Sequence, residues 1–153
     1  MDETECSTAT FDQTVIPFIL DTLRSRQLRR SETFKVRSNY GSINKFVTLF
    51  TIRNGDLSKP YMLLFHFADR LEDLRSDRFV TFDFGTDSLV LPVFTDPAST
   101  IIGNSADRFL YAFLSDREIR VLVVAETVTG YIGVVDFDLP HSCRELWRNV
   151  IGE

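Results

Sequence analysis

The chain has 153 residues, of which 44% are hydrophobic, 25% charged and 12% aromatic, and 17 Lys+Arg against 22 Asp+Glu leave a net charge of −5. That composition excludes a disordered chain, and seven glycines with five prolines exclude a fibrous or low-complexity one. The length suits one domain with a real core, since a chain of this size buries roughly two thirds of its unfolded surface.

Residues 1–12 are polar and aperiodic and read as a flexible leader ahead of a single α+β domain over 13–153. Val15, Ile16, Ile19, Leu20, Leu23 and Leu28 then recur at helical spacing. Pro17 is tolerated only in a first turn, which places the cap near Thr14 and predicts a helix over about 15–29.

Strand patterns follow at Thr33–Tyr40, Lys45–Arg53 and Tyr61–Ala68, the last apolar on both faces and therefore central. Turns are expected at Tyr40-Gly41-Ser42 and Asn54-Gly55-Asp56, and a charged loop at Asp69–Arg78. Arg78–Phe84 and Ser88–Phe94 read as a hairpin around Gly85-Thr86-Asp87, with Pro92 marking an edge strand. A loop over Thr95–Asn104 leads to a short helix reaching Leu114, with Phe109, Leu110 and Phe113 as its stripe.

Glu118–Glu126 reads as a buried strand, Thr129-Gly130 as a turn, and Tyr131–Asp138 as the returning strand, with a bulge or close contact at Gly133. Ser142 and Glu145 fit a capping box that opens a final helix. The fold class is therefore α+β: one antiparallel sheet of about five to seven strands with N-terminal, middle and C-terminal helices packed on it.

The charge is uneven. Residues 21–37 hold six cations against two carboxylates, a net of +4, which leaves −9 on the remainder. Arg24, Arg26, Arg29, Arg30 and Arg37 are the candidate partner-binding residues, and the partner expected is another protein, a second copy of the chain included. An acidic chain argues against nucleic acid, and no run of about 20 apolar residues is present to span a membrane.

Three motifs carry chemistry in principle. Cys143 beside His141 at a helix start has the residue types of an activated thiolate. Asp136 and Asp138 share one strand face, as paired carboxylates for acid–base work do. His66 lies among apolar neighbours and reads as a buried, hydrogen-bonded histidine. Neither these nor any other pattern calls for a cofactor or a structural metal, and no catalytic residue is assigned.

The isolated Cys6 and Cys143 fit a reducing, cytoplasmic setting, as does the acidic start Met1-Asp2-Glu3-Thr4-Glu5. An exported protein whose signal has been removed is the alternative, and pairing of the two cysteines stays open.

Phe82-Asp83-Phe84-Gly85-Thr86-Asp87 resembles the first phosphate loop of the actin-type ATPases, over those residues alone; the plainer reading is a hairpin turn. The order helix, three strands, helix, two strands, helix in a small acidic chain is similar to the class I type III secretion chaperones, with the 78–94 hairpin added. That similarity implies a cytosolic dimer holding an unfolded partner. The strand-rich middle and closing hairpin are also similar to small periplasmic β-sandwich proteins. The function expected is a non-enzymatic protein-binding module of chaperone, immunity, inhibitor or adaptor type, acting through the basic segment and an exposed sheet edge. The alternatives are a small hydrolase or transferase using Cys143/His141 or Asp136/Asp138, and a structural or assembly protein, including one of viral origin.

Overall fold

A computed structural model describes residues 6–9, 19, 28–31, 33–38, 45–52, 58–67, 79–96, 100–102, 105–133 and 135–152. Among them the chain is mostly antiparallel sheet with a few short helices, α+β only in the broad sense.

The larger sheet is built on two long strands. β4 (Lys45–Ile52) and β5 (Tyr61–Phe67) are rich in β-branched and aromatic residues and are apolar on both faces, as central strands are. Around them the order is β1 (Thr8–Ala9), β3 (Thr33–Val36), β4, β5, β10 (Ser105–Leu114), β8 (Phe94–Thr95). β2 (Leu28–Arg30) also pairs with β4, and β9 (Thr100–Ile102) with β10. The smaller sheet runs β12 (Val135–Asp138), β11 (Thr129–Ile132), β6 (Phe79–Asp83), β7 (Ser88–Pro92).

The two sheets share one core. Tyr61, Leu63, Phe65 and Phe67 alternate onto one face of β5, and Phe65 meets Phe82 and Phe137 of the smaller sheet at ring-centroid distances of 6.5 and 5.5 Å. The phenylalanines thus bridge the layers, where large rings contribute most area. The opposite face of β5 carries Met62 and Leu64 in a second apolar cluster with Phe50, Ile52 and Phe109.

The sheets also approach each other at both sides. β7 runs through the buried Val93 straight into β8 of the larger sheet. On the far side the Asp138 N–H donates to the Arg37 carbonyl just past β3, at 2.9 Å.

The helices are α1 (Asp116–Val124), α2 (His141–Leu146) and α3 (Arg148–Ile151). Ile119, Leu122 and Val123 of α1, at positions i, i+3 and i+4, join the main core, as do Trp147 and Val150. A disulfide joins Cys6 to Cys143 across a sequence separation of 137.

Several expectations are corrected. The single sheet is two sheets, and of the three helices expected on it the C-terminal one is found, the middle one is not, and the N-terminal one lies almost wholly outside the described residues. The middle helix to Leu114 is the strand β10, where Leu110, Ala112 and Leu114 face the core and period two replaces the helical stripe. The buried strand at 118–126 is α1: Ser115 caps it, and Glu118 bonds back to the Ser115 N–H at 2.8 Å. The capping box lies there and not at Ser142. Pro140 already opens α2, so Ser142 falls inside that helix. Thr129-Gly130 is strand, and the turn is made by Gly133 at φ 61°.

Leu28 and Arg29, the end of the expected first helix, form strand together with Arg30, paired with Phe50–Ile52. Ile19 has helical backbone, and the rest of that segment lies outside the described residues. The turns at 40–42 and 54–56 and the charged loop at 69–78 lie outside them too.

Candidate functional site

The hairpin β6–β7 dictates a two-sided sheet. Val80 and Phe82 of β6 and Leu91 of β7 point into the core, so Phe79, Thr81 and Asp83 and, across the ladder, Ser88, Val90 and Pro92 point out. The register then sets these side chains in rows across all four strands. One row runs Asp136, Tyr131, Thr81, Val90. Beside it Phe79 stands opposite Pro92. On the other flank runs Asp138, Thr129, Asp83, Ser88.

The face is therefore divided. Phe79, Val90 and Tyr131 are 56, 54 and 39% exposed, large apolar side chains standing in solvent as one group with Pro92. Asp83, Asp136 and Asp138 occupy the adjoining positions, and none of these ten positions holds a cation. Neighbouring strands lie about 4.8 Å apart, so the apolar group and the carboxylates fall within one contact surface. The sequence signals for it were the alternation of the hairpin and Pro92. The row itself exists only once β11 is paired to β6.

A second feature is a cleft of about 540 Å³ between the β6–β7 turn and the start of α1, lined by Phe84, Asp87, Leu89, Lys59, Glu118 and Val121. Two of its charged groups face each other. The Lys59 Nζ lies 3.3 Å from Glu118 Oε1, and the Ser115 hydroxyl accepts from the Glu118 N–H at 3.2 Å. Burial opposes ionisation of Glu118, but the Ser115 N–H, the Lys59 ammonium and the Ser115 hydroxyl outweigh it and hold the carboxyl below its usual value.

The segment Phe82–Asp87 forms a hairpin turn, with Gly85 at φ 92° and the Phe84 N–H donating to the Asp87 carbonyl at 3.0 Å. It places Asp87 at the cleft, whose lining also carries Lys59, Arg117 and Glu118.

The remaining candidates fall in separate places. Cys143 is fully buried and its sulfur is bonded to Cys6, so the pair Cys143/His141 holds no thiol to act as a nucleophile. His141 instead lies 3.1 Å from Glu145. Glu145 is held below its usual range by the Arg148 N–H, 2.7 Å away, and by the positive charges nearby. Asp136 accepts from the Ser38 hydroxyl at 3.4 Å and Asp138 is exposed at the end of β12. His66 is half-buried and stacked on Phe109, with centroids 4.3 Å apart.

Of the basic candidates, Arg30 and Arg37 are exposed, and Arg29 lies in β2. Arg24 and Arg26 lie outside the described residues. Residues 6–9 of the polar leader carry the disulfide and β1, where the Lys35 N–H donates to the Ser7 carbonyl at 2.8 Å.

Sequence reasoning missed Arg144 altogether. It is fully buried on α2 and donates only to backbone carbonyls, at 2.8 Å to Leu139 and 2.6 Å to both Leu122 and Ala125. An arginine beside a buried cysteine in a short helix carries no sequence signal for that role.

No helix among the described residues is long and apolar enough to cross a membrane. Comparison with family models, with curated proteins and with solved structures finds no match to the chain.

Proposed function

We propose that the protein is a non-enzymatic protein-binding module of the chaperone, immunity, inhibitor or adaptor kind. The observation that carries this reading is the exposed group Phe79, Val90 and Tyr131 on the outer face of the smaller sheet. Large apolar side chains gathered in solvent are the usual mark of a contact surface, and aromatic residues anchor such contacts. The sheet edge at β7 and the exposed Arg30 and Arg37 are further surfaces for the same partner. The enzymatic alternative is weakened because Cys143 has no free thiol. The Cys6–Cys143 bond supports the exported alternative for location, since disulfides persist in oxidising compartments.

The test is capture from the native source with three baits: the unaltered chain, Phe79→Ser/Val90→Thr/Tyr131→Ser, and Arg30→Ala/Arg37→Ala. The reading expects a protein recovered by the first bait and lost with the second or the third. Equal recovery by all three, or no specific recovery by the unaltered chain, overturns it.

A further inference from the structure

The geometry points to a partner that presents apolar side chains flanked by lysine or arginine, docked on the outer face of the smaller sheet. This rests on the binding-module reading and names the chemistry of its partner. The apolar half of the face, Phe79, Val90 and Tyr131, supplies area. The other half is set by register. Asp136 adjoins Tyr131 directly, and Asp83 and Asp138 lie one row away. An aromatic and aliphatic group beside three carboxylates, with no cation at the ten positions of the face and Arg37 bordering it beside Asp138, complements a surface that is apolar in the centre and cationic along one side.

The same arrangement argues against a second copy docking face to face. A two-fold contact whose axis crosses both halves sets the carboxylates of one molecule on those of the other, and one whose axis runs between the halves sets them on the apolar group; like charges brought together and carboxylates desolvated without a partner both oppose association. An acidic partner meets the same opposition. A helix or strand laid across the face, in which apolar positions alternate with long cationic side chains, would reach the carboxylate row.

The experiment is a titration of the ¹⁵N-labelled full chain with two synthetic amphipathic peptides of identical leucine pattern, one carrying lysine at every polar position and the other glutamate. The lysine peptide is expected to shift the amides of Thr81, Val90, Tyr131 and Asp83, and the glutamate peptide to leave them unmoved. Asp83→Asn should weaken binding about threefold, the scale of one partly exposed charge pair. Glu126→Gln removes the same charge from the end of α1, away from this face, and should leave affinity unchanged. Equal binding of both peptides, equal loss in the two variants, or shifts that map elsewhere overturn the cationic partner. The binding-module reading falls separately, on the native capture alone. Light scattering over a concentration series supplies the other arm: a dimer that Val90→Lys disperses shows a second copy on this face and overturns the proposal, whereas a monomer throughout supports a different chain as its occupant.

Discussion

The Arg144 guanidinium on α2 ends the helix α1: its Nη1 lies 2.6 Å from the Leu122 carbonyl oxygen and 2.6 Å from that of Ala125, and its Nη2 lies 3.2 Å from that of Glu126. The last carbonyls of a helix have no partner within it, and α1 has no basic residue in its own last turn. One buried side chain from a later element supplies them. Burial pushes Arg144 down to about 10, opposed by the Glu145 carboxylate, so the guanidinium remains charged near neutral pH.

Arg144→Met keeps the aliphatic stem and removes every donor. Buried carbonyls are then orphaned, at a cost of about 1–3 kcal/mol for each that water does not reach. The urea midpoint should fall accordingly. Arg144→Lys keeps the charge but presents a point donor in place of a fork, and should recover only part of that loss. A midpoint unchanged in Arg144→Met would show that α1 ends without this side chain.

The Cys6–Cys143 bond ties the segment carrying β1 to α2 across almost the whole chain. Closing so long a loop restricts the unfolded state, and its removal is expected to cost about 2–5 kcal/mol. Cys6→Ser should lower the melting temperature, and a phosphine reductant should bring the unaltered chain down towards the same value while leaving Cys6→Ser unmoved. A reductant that shifts neither protein would show that the bond contributes nothing to stability.

Gly130 sits in β11 opposite Phe137, and a Cβ placed on it would meet the Phe137 ring at 2.3 Å. The ring belongs to the main core and contacts Phe65, Phe67 and Phe82, so it has little room to yield. Gly130→Ala should therefore destabilise by about 1–3 kcal/mol, the cost of overpacking a well-filled core. Combining it with Phe137→Leu should give less than the sum of the two losses, since the smaller side chain makes space for the methyl group. Strict additivity in a double-mutant cycle would place the strain elsewhere.

The strands with two-fold alternation or continuous apolar text were legible in the sequence: β3 to β7 fall within or beside their predicted ranges. Residues 105–126 were not. Phe109, Leu110 and Phe113 satisfy a helical stripe and a strand face equally well, and pairing of β10 with β5 along its length decides for strand. The apolar run of Glu118–Glu126 resembles a buried strand, yet Ser115 and Glu118 start a helix three residues ahead of it. Ser115-x-x-Glu118 and Ser142-x-x-Glu145 are the same pattern. They differ in what precedes them, because Pro140 takes the N-cap position and α2 begins at His141, so Ser142 is already inside the helix. The exposed group Phe79, Val90 and Tyr131 was hidden for another reason. It joins residues up to 52 positions apart through strand pairing that no local pattern announces.

The capping box carries the pH dependence. The Glu118 carboxyl is held below its usual value despite the opposing effect of burial, because its ionised form accepts from the Ser115 N–H and faces Lys59. A carboxyl with a lowered folded value binds fewer protons than in the unfolded chain, so its contribution is complete above about 4.3, the unfolded reference, and is lost as pH falls through the lower folded value. Glu118→Gln keeps an oxygen for the Ser115 N–H but removes the charge. Both partners are partly exposed and screened by water, so the variant should be less stable at neutral pH by under about 1 kcal/mol. The difference should close as the pH is taken from 6 towards 3, read from urea midpoints at each pH. Ser115→Ala removes the cap itself and should cost about 1 kcal/mol, with a loss that persists in acid. A Glu118 carboxyl carbon that titrates at or above about 4.3 would show that burial outweighs Lys59 and Ser115 at this position.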